Sequence, residues 1–350
     1  MPVLLVLAAL RERQRRARRG GVPRLRLGYE VWLGAAVVLV ADAHLLLHAR
    51  GWEIRHSDEI AGAWQLQEMD EDTLARGRNF YGLMRVVELN HAWPETHHRA
   101  LLHGRINHGF QYLRADKRAR PTSYFGTTSG VGQAIALHPR RDRGQPMRLG
   151  VLGLGVGTIA SYARAGDTIE FYEINPLAIE LARGYFHYLE DAEARGAAVE
   201  IYAGDARLLL ERQLQRAGSR RFDVLAVDAF SGDAPPIHLL TRECFQTYRE
   251  HLAPGGVLAL NVSNRFVDLK PVVRGLADDA GMAAIHFHDA GSQTGGTDTS
   301  DWMLVTSNPR VLEADEVMYR ESEFDAASAR PPVLWTDDHS SLLGLMIPTL

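Results

Sequence analysis

Apolar runs at 148–152, 168–172, 199–202, 222–227 and 256–261 predict five strands, and the stretches between them predict helices. A further helix over 266–276 and two strands at 283–287 and 301–306 follow. The Gly-, Ser- and Thr-rich stretch 291–300 reads as a flexible hairpin connection between those two strands. Strand and helix alternate, so 141–350 reads as a doubly wound α/β domain. Upstream, short runs at 86–89, 99–103 and 110–113, separated by Gly and Asn turns, predict a small β-rich domain over 78–140. Residues 51–77 are polar and acidic, with Glu68, Asp70, Glu71 and Asp72 close together, and read as a linker carrying a solvated helix. Residues 1–50 hold two apolar stretches split by arginines.

The first α/β strand runs into Gly153-Leu154-Gly155-Val156-Gly157. Glycines let the backbone approach a ligand closely, and the helix read over 158–163 would point free N–H groups at it. The second strand ends on Glu173, about 20 residues past the glycines, placed to accept hydrogen bonds from ribose hydroxyls. Asn175-Pro176 opens the next helix, with Pro at a tolerated early position. The third strand leads to Gly204-Asp205-Ala206, and the fourth ends on Asp228. These acids sit at the carboxyl ends of strands, where open α/β sheets bind ligands. Dinucleotide-binding turns are spaced G-x-G-x-x-G, whereas this one is spaced G-x-G-x-G. Gly153, Gly155 and Gly157 with Glu173, Asp205 and Asp228 resemble the set of class I methyltransferase-type, Rossmann-like folds, which bind S-adenosylmethionine or a relative. That resemblance implies that Glu173 holds the ribose and Asp205 the adenine amino group. Taken alone, the glycines form a structural turn and the acids cap helices.

Past the fourth strand the chain reads Asp228-Ala229-Phe230-Ser231-Gly232-Asp233-Ala234-Pro235-Pro236, then Ile237-His238-Leu239-Leu240-Thr241-Arg242-Glu243-Cys244-Phe245. This resembles the polyamine aminopropyltransferase (spermidine synthase) family, nearest the branch fused to a membrane transporter-like region. Arg78-Asn79-Phe80-Tyr81-Gly82, Leu102-His103-Gly104, Gly109-Phe110-Gln111, Pro121-Thr122-Ser123-Tyr124-Phe125-Gly126 and Trp335-Thr336-Asp337-Asp338-His339-Ser340 extend the resemblance across residues 76–345. It implies aminopropyl transfer from decarboxylated S-adenosylmethionine to an amine such as a polyamine, with methylthioadenosine as the leaving group. A protonated amine needs a carboxylate to bind it and take its proton. Asp233 is the candidate general base, and Asp228 shares that task or binds the amine. Asp233 before prolines also fits an Asx-type turn. Gln111 and Tyr124 are candidate contacts in the substrate cleft, and Asp337 and Asp338 candidates for its entrance. In that family the small β-rich domain walls the cleft and helps build oligomers, so a homo-oligomer is expected.

Two positions depart from the family pattern. Val156 stands where members carry an acid that grips the primary amine of the cofactor, and Tyr124-Phe125-Gly126-Thr127 lacks the carboxylate of their Tyr-x-Glu element. An S-adenosylmethionine-dependent methyltransferase on the same fold therefore stays open. So does a non-catalytic nucleoside- or polyamine-sensing domain attached to a membrane carrier, which the missing acids favour.

Composition narrows the partners. The chain has 350 residues with a net charge of −4, so no broad nucleic-acid surface is implied. Its single cysteine, Cys244, excludes an intrachain disulfide and reads as a packing residue. Of 15 histidines, His91, His97, His98, His103 and His108 crowd together, but their spacing matches no metal signature, and no metal is expected. At the N-terminus, Arg11, Arg13, Arg15, Arg16, Arg18 and Arg19 follow the first apolar run, an order opposite to that of a signal peptide. Residues 29–48 reach the roughly 20 residues of a spanning helix only by burying Asp42 and His44. Residues 1–50 are expected to associate with a membrane while the catalytic domain stays cytoplasmic; the alternative is a cytoplasmic protein.

Overall fold

The computed structural model describes residues 52–56, 64–68, 71–104, 106–229, 236–292, 294–314 and 330–347. The chain divides after Glu71 into two units. In the first, β1 (Trp52–His56) and β2 (Trp64–Glu68) pair antiparallel, Ile54 opposite Leu66. The solvated helix expected over 51–77 is replaced by these strands and by β3 (Glu71–Asn79). The reason is a period of two. Trp52 and Ile54 alternate with Glu53 and Arg55, and half-buried Ala75, Gly77 and Asn79 alternate with exposed Arg76 and Arg78. Clustered charge had masked that alternation. The apolar stretches of residues 1–50 lie outside the described residues. Among the described residues no helix is long and apolar enough to cross a membrane.

In the second unit, β3, β4 (Gly82–Leu89), β5 (His98–His103) and β6 (Ile106–Tyr112) form a four-stranded sheet in chain order. Met84, Val86 and Leu101 from this sheet join the same apolar core as Val151, Val156 and Phe171. Next come α1 (Gly130–Ala136), capped by the Ser129 hydroxyl, and the short α2 (Pro139–Asp142).

The α/β part follows in the expected alternation: β7 (Arg148–Leu152), β8 (Thr168–Glu173), α3 (Pro176–Tyr185), α4 (Tyr188–Ala194), β9 (Ala198–Ala203), α5 (Ala206–Ala217) and β10 (Phe222–Val227). It continues with α6 (Arg242–His251), β11 (Leu252–Asn261), α7 (Lys270–Asp279), β12 (Ala283–Asp289), β13 (Ser300–Thr306) and α8 (Pro309–Leu312). The seven strands lie in the order β12-β13-β11-β10-β7-β8-β9. Strands β7 to β11 run parallel, and β13 is inserted antiparallel between β11 and β12. This is a Rossmann-like, methyltransferase-type α/β sheet. Leu149, Val151, Val224 and Ala226 face one core, while Leu152, Leu225, Val227 and Leu258 face the other. Burial on both faces is why the central strands read as unbroken apolar runs. The strand order reverses between β7 and β10, which opens a crevice beyond their carboxyl ends.

Two local expectations change. The segment after the glycine turn is a five-residue 3-10 helix (Thr158–Tyr162), because Ala163 turns extended and Gly166 follows. The helix expected over 266–276 begins only at Lys270.

Candidate active site

A cavity of about 360 Å³ lies beyond the carboxyl ends of β7, β8 and β10 and over Gly204-Asp205 after β9. That volume is at the lower end of the range for small-molecule sites. The small sheet walls one side through Met84, His103 and the β6 residues Ile106, Asn107 and His108.

Gly153 and Gly155 line this cavity at φ 94° and 54°. A Cβ on Gly153 would stand 2.4 Å from the Asp228 carbonyl oxygen, and one on Gly155 would stand 2.6 Å from that of His108. Both neighbours are backbone, so only glycine fits. Gly157 lies outside the lining; at φ 83° it packs against Leu189 and precedes the 3-10 helix. Val156 is buried, its methyl carbon so close to Gly109 that a Cβ there would sit 2.8 Å away. An acid at that position would be driven into the core.

Glu173 is buried at the end of β8. Its Oε2 accepts from the Leu154 N–H at 2.9 Å and its Oε1 from the Asn175 N–H at 2.7 Å. Burial pushes its carboxyl above the ordinary carboxylate value, and the backbone donors oppose that shift. With Ile174 as a third backbone donor, one of its four lone-pair sites is left for a hydroxyl donor. Asp205 plays two parts. Its Oδ1 caps α5 by accepting from the Leu208 N–H at 3.0 Å, and its Oδ2 faces His238 Nε2 at 3.2 Å. The capping role that the sequence allowed as an alternative therefore coexists with a place in the cavity lining.

Asp228 stands at the exit of β10, where Asn261 Nδ2 donates to its Oδ1 at 2.7 Å and the Tyr124 hydroxyl hydrogen-bonds its side chain. Burial pushes its carboxyl up to about 7, with the two donors pulling the other way and the Glu173 charge adding to the rise. All three side chains line the cavity. Asp233 lies outside the described residues.

Gln111 is a correction to the sequence reading. It is absent from the lining, and its amide is consumed by the backbone: Nε2 donates to the Arg118 carbonyl at 3.0 Å, and Oε1 accepts from the His187 N–H at 2.8 Å. A fully buried amide must satisfy both ends, which turns this side chain into a brace. Asp337 and Asp338 are also absent from the lining. Asp337 instead takes Arg207 at 2.7 and 2.6 Å and the Thr241 hydroxyl at 2.8 Å. The Arg207 guanidinium holds its carboxyl down at about 2. Arg207 also donates to the His238 carbonyl at 3.1 Å, so the pair supports the cavity rim from behind.

Sequence reasoning missed Asn261, His103, His108 and His238. Asn261 closes the fifth strand, a strand-end position that could have marked it. Burial, with His103 beside it at 5.4 Å between ring centroids, pushes the His108 imidazole down to about 4. Its Nε2 is buried and makes no hydrogen bond. Cys244 is buried on α6, as expected of a packing residue.

No family model matches the chain. It is 29% identical over 120 residues to a polyamine aminopropyltransferase of Vibrio vulnificus, covering 33% of this chain and 38% of that one. It is 26% identical over 190 residues to a probable polyamine aminopropyl transferase of Bifidobacterium longum, covering 53% and 36%. An N-terminal histidine N-methyltransferase of Emericella nidulans is 30% identical over 124 residues, covering 35% and 21%. Among solved structures, a probable spermidine synthase from Corynebacterium glutamicum is similar at a TM-score of 0.48 and 17% identity, over 75% of this chain and 97% of that one. The matches span between 21% and 38% of the curated relatives' own lengths. Two of these three relatives carry aminopropyltransferase names, which supports a relation of this chain to that family.

Proposed function

We propose that this cavity transfers an aminopropyl group from decarboxylated S-adenosylmethionine to a small amine such as a polyamine. The observation that carries the reading is Asp228: a carboxylate inside the cavity, held by Asn261 and Tyr124, that exchanges a proton near neutral pH. Glu173 would take the ribose hydroxyls and Asp205 the adenine amino group, with Gly153 and Gly155 giving the nucleoside its close approach. The amine nitrogen attacks the methylene carbon beside the sulfonium. The carbon–sulfur bond breaks, its electron pair neutralises the sulfur, and methylthioadenosine departs. The proton shed by the new secondary amine goes to a carboxylate, Asp233 as base with Asp228 beside it. The leaving group is already cationic, so orientation and charge complementarity carry the rate, and the step needs no metal. The reading also includes a homo-oligomer, and membrane attachment through residues 1–50.

The full chain is incubated with a panel of amines and either S-adenosylmethionine or its decarboxylated form. Methylthioadenosine is expected only with the decarboxylated nucleoside and an amine together. Asp228→Asn should lower kcat by about 100-fold or more while nucleoside binding persists. S-adenosylhomocysteine as the product would make the protein a methyltransferase. Binding with neither product would make it a sensor.

A further inference from the structure

Away from the cavity lining, Glu88, His91 and His97 bring three metal-type donor atoms within 4.8 Å of one another. Glu88 lies on β4, and both histidines lie in the loop 90–97 that leads to β5. His97 Nε2 is 2.9 Å from Glu88 Oε1, and His91 Nδ1 is 3.7 Å from the same oxygen. Donors at about 2.0–2.1 Å around a tetrahedral zinc ion stand about 3.3 Å apart, a spacing that these two distances bracket. The loop is folded back by bonds from the Trp93 N–H to the Asn90 carbonyl at 2.9 Å and from the His97 N–H to the Trp93 carbonyl at 2.8 Å. Arg99 Nε holds Glu88 Oε2 at 2.8 Å, which leaves Oε1 to the imidazoles. His91 Nε2 is buried and makes no hydrogen bond, with Asp72 Oδ2 3.4 Å away.

We propose that Glu88, His91 and His97 bind a divalent ion of the zinc type, which staples the β4–β5 loop. Two imidazoles and one carboxylate suit zinc, whereas magnesium and calcium take all-oxygen sets. The side chains of His91, His97 and Glu88 are 29%, 25% and 13% exposed, so solvent water can reach the ion as a fourth ligand. With Nδ1 on the ion, the His91 Nε2 proton faces Asp72, the outer-shell carboxylate that fixes the tautomer of a ligating histidine. No metal was expected from the spacing, because the donors meet only when the loop folds two histidines onto one carboxylate. The proposal is independent of the chemistry read into the cavity.

The test strips the full chain with a chelator, then titrates zinc by calorimetry and cobalt(II) by visible absorption. The expected result is one saturable equivalent per chain, a tetrahedral cobalt spectrum and a rise in Tm. His91→Gln and His97→Gln should each weaken that equivalent by about 100-fold or more, and Asp72→Asn by about 10-fold. His98→Gln should leave it unchanged, since that ring packs on Phe110 and Tyr112. Circular dichroism checks that each variant is folded. No saturable equivalent in the parent chain, or equal affinity in folded His91→Gln and His97→Gln, overturns the proposal.

Discussion

Asp228 shows how one residue acquires chemistry from its surroundings. An unfolded aspartate titrates near 4, while burial holds this one at about 7. Between those values the folded chain keeps a proton that the unfolded chain has lost. Its contribution to stability is thus fully present below about pH 4 and is lost as pH rises through about 7. The ionised form that can accept a proton dominates above about 7. Methylthioadenosine release should therefore rise with pH through that range. Asn261 donates at 2.7 Å to the ionised form, so Asn261→Leu should move the acid limb of the rate profile to higher pH. A limb that stays in place or moves to lower pH would remove Asp228 from the titration.

At the scale of the element, α5 begins on a residue with two duties. Asp205 caps the helix through Leu208 and also lines the cavity. Serine caps a helix about as well as aspartate but brings no carboxylate. Asp205→Ser should leave urea stability within a few tenths of a kcal/mol, whereas Asp205→Ala should cost about 1 kcal/mol. Both should weaken nucleoside binding in calorimetry. Retained affinity in the serine variant would reduce Asp205 to a helix cap. The strands β1, β2 and β3 carry the opposite lesson: their charge content reads as a solvated helix, yet a period-two alternation decides the backbone.

Across the whole molecule, residues 330–347 strap the α/β part together. The Arg242 N–H donates to the Trp335 carbonyl at 2.9 Å and the Val333 N–H to that of Pro271 at 2.9 Å. A Cβ on Gly275 would lie 2.3 Å from the Val333 carbonyl oxygen, so α7 accepts the strap only because glycine stands there. Trp335 is buried in the same apolar core as Phe245 and Val273. Trp335→Ala should cost about 3–5 kcal/mol in denaturant unfolding. A loss below about 1 kcal/mol would mean that the strap is peripheral.

The strands of the α/β sheet, the glycine turn, and Glu173, Asp205 and Asp228 at strand ends were legible in the sequence, because apolar runs and turn chemistry are properties of neighbours along the chain. Contacts between distant residues were not. Asn261 reaches Asp228 across 33 positions, and Arg207 takes Asp337 across 130. Tertiary packing withdrew Gln111 into a buried brace, turned Gly157 away from the cavity, and brought His91 and His97 of the loop onto Glu88 of β4. Local pattern encodes which face of an element is buried; which polar side chains then converge depends on how the sheets stack, and no spacing along the chain records that.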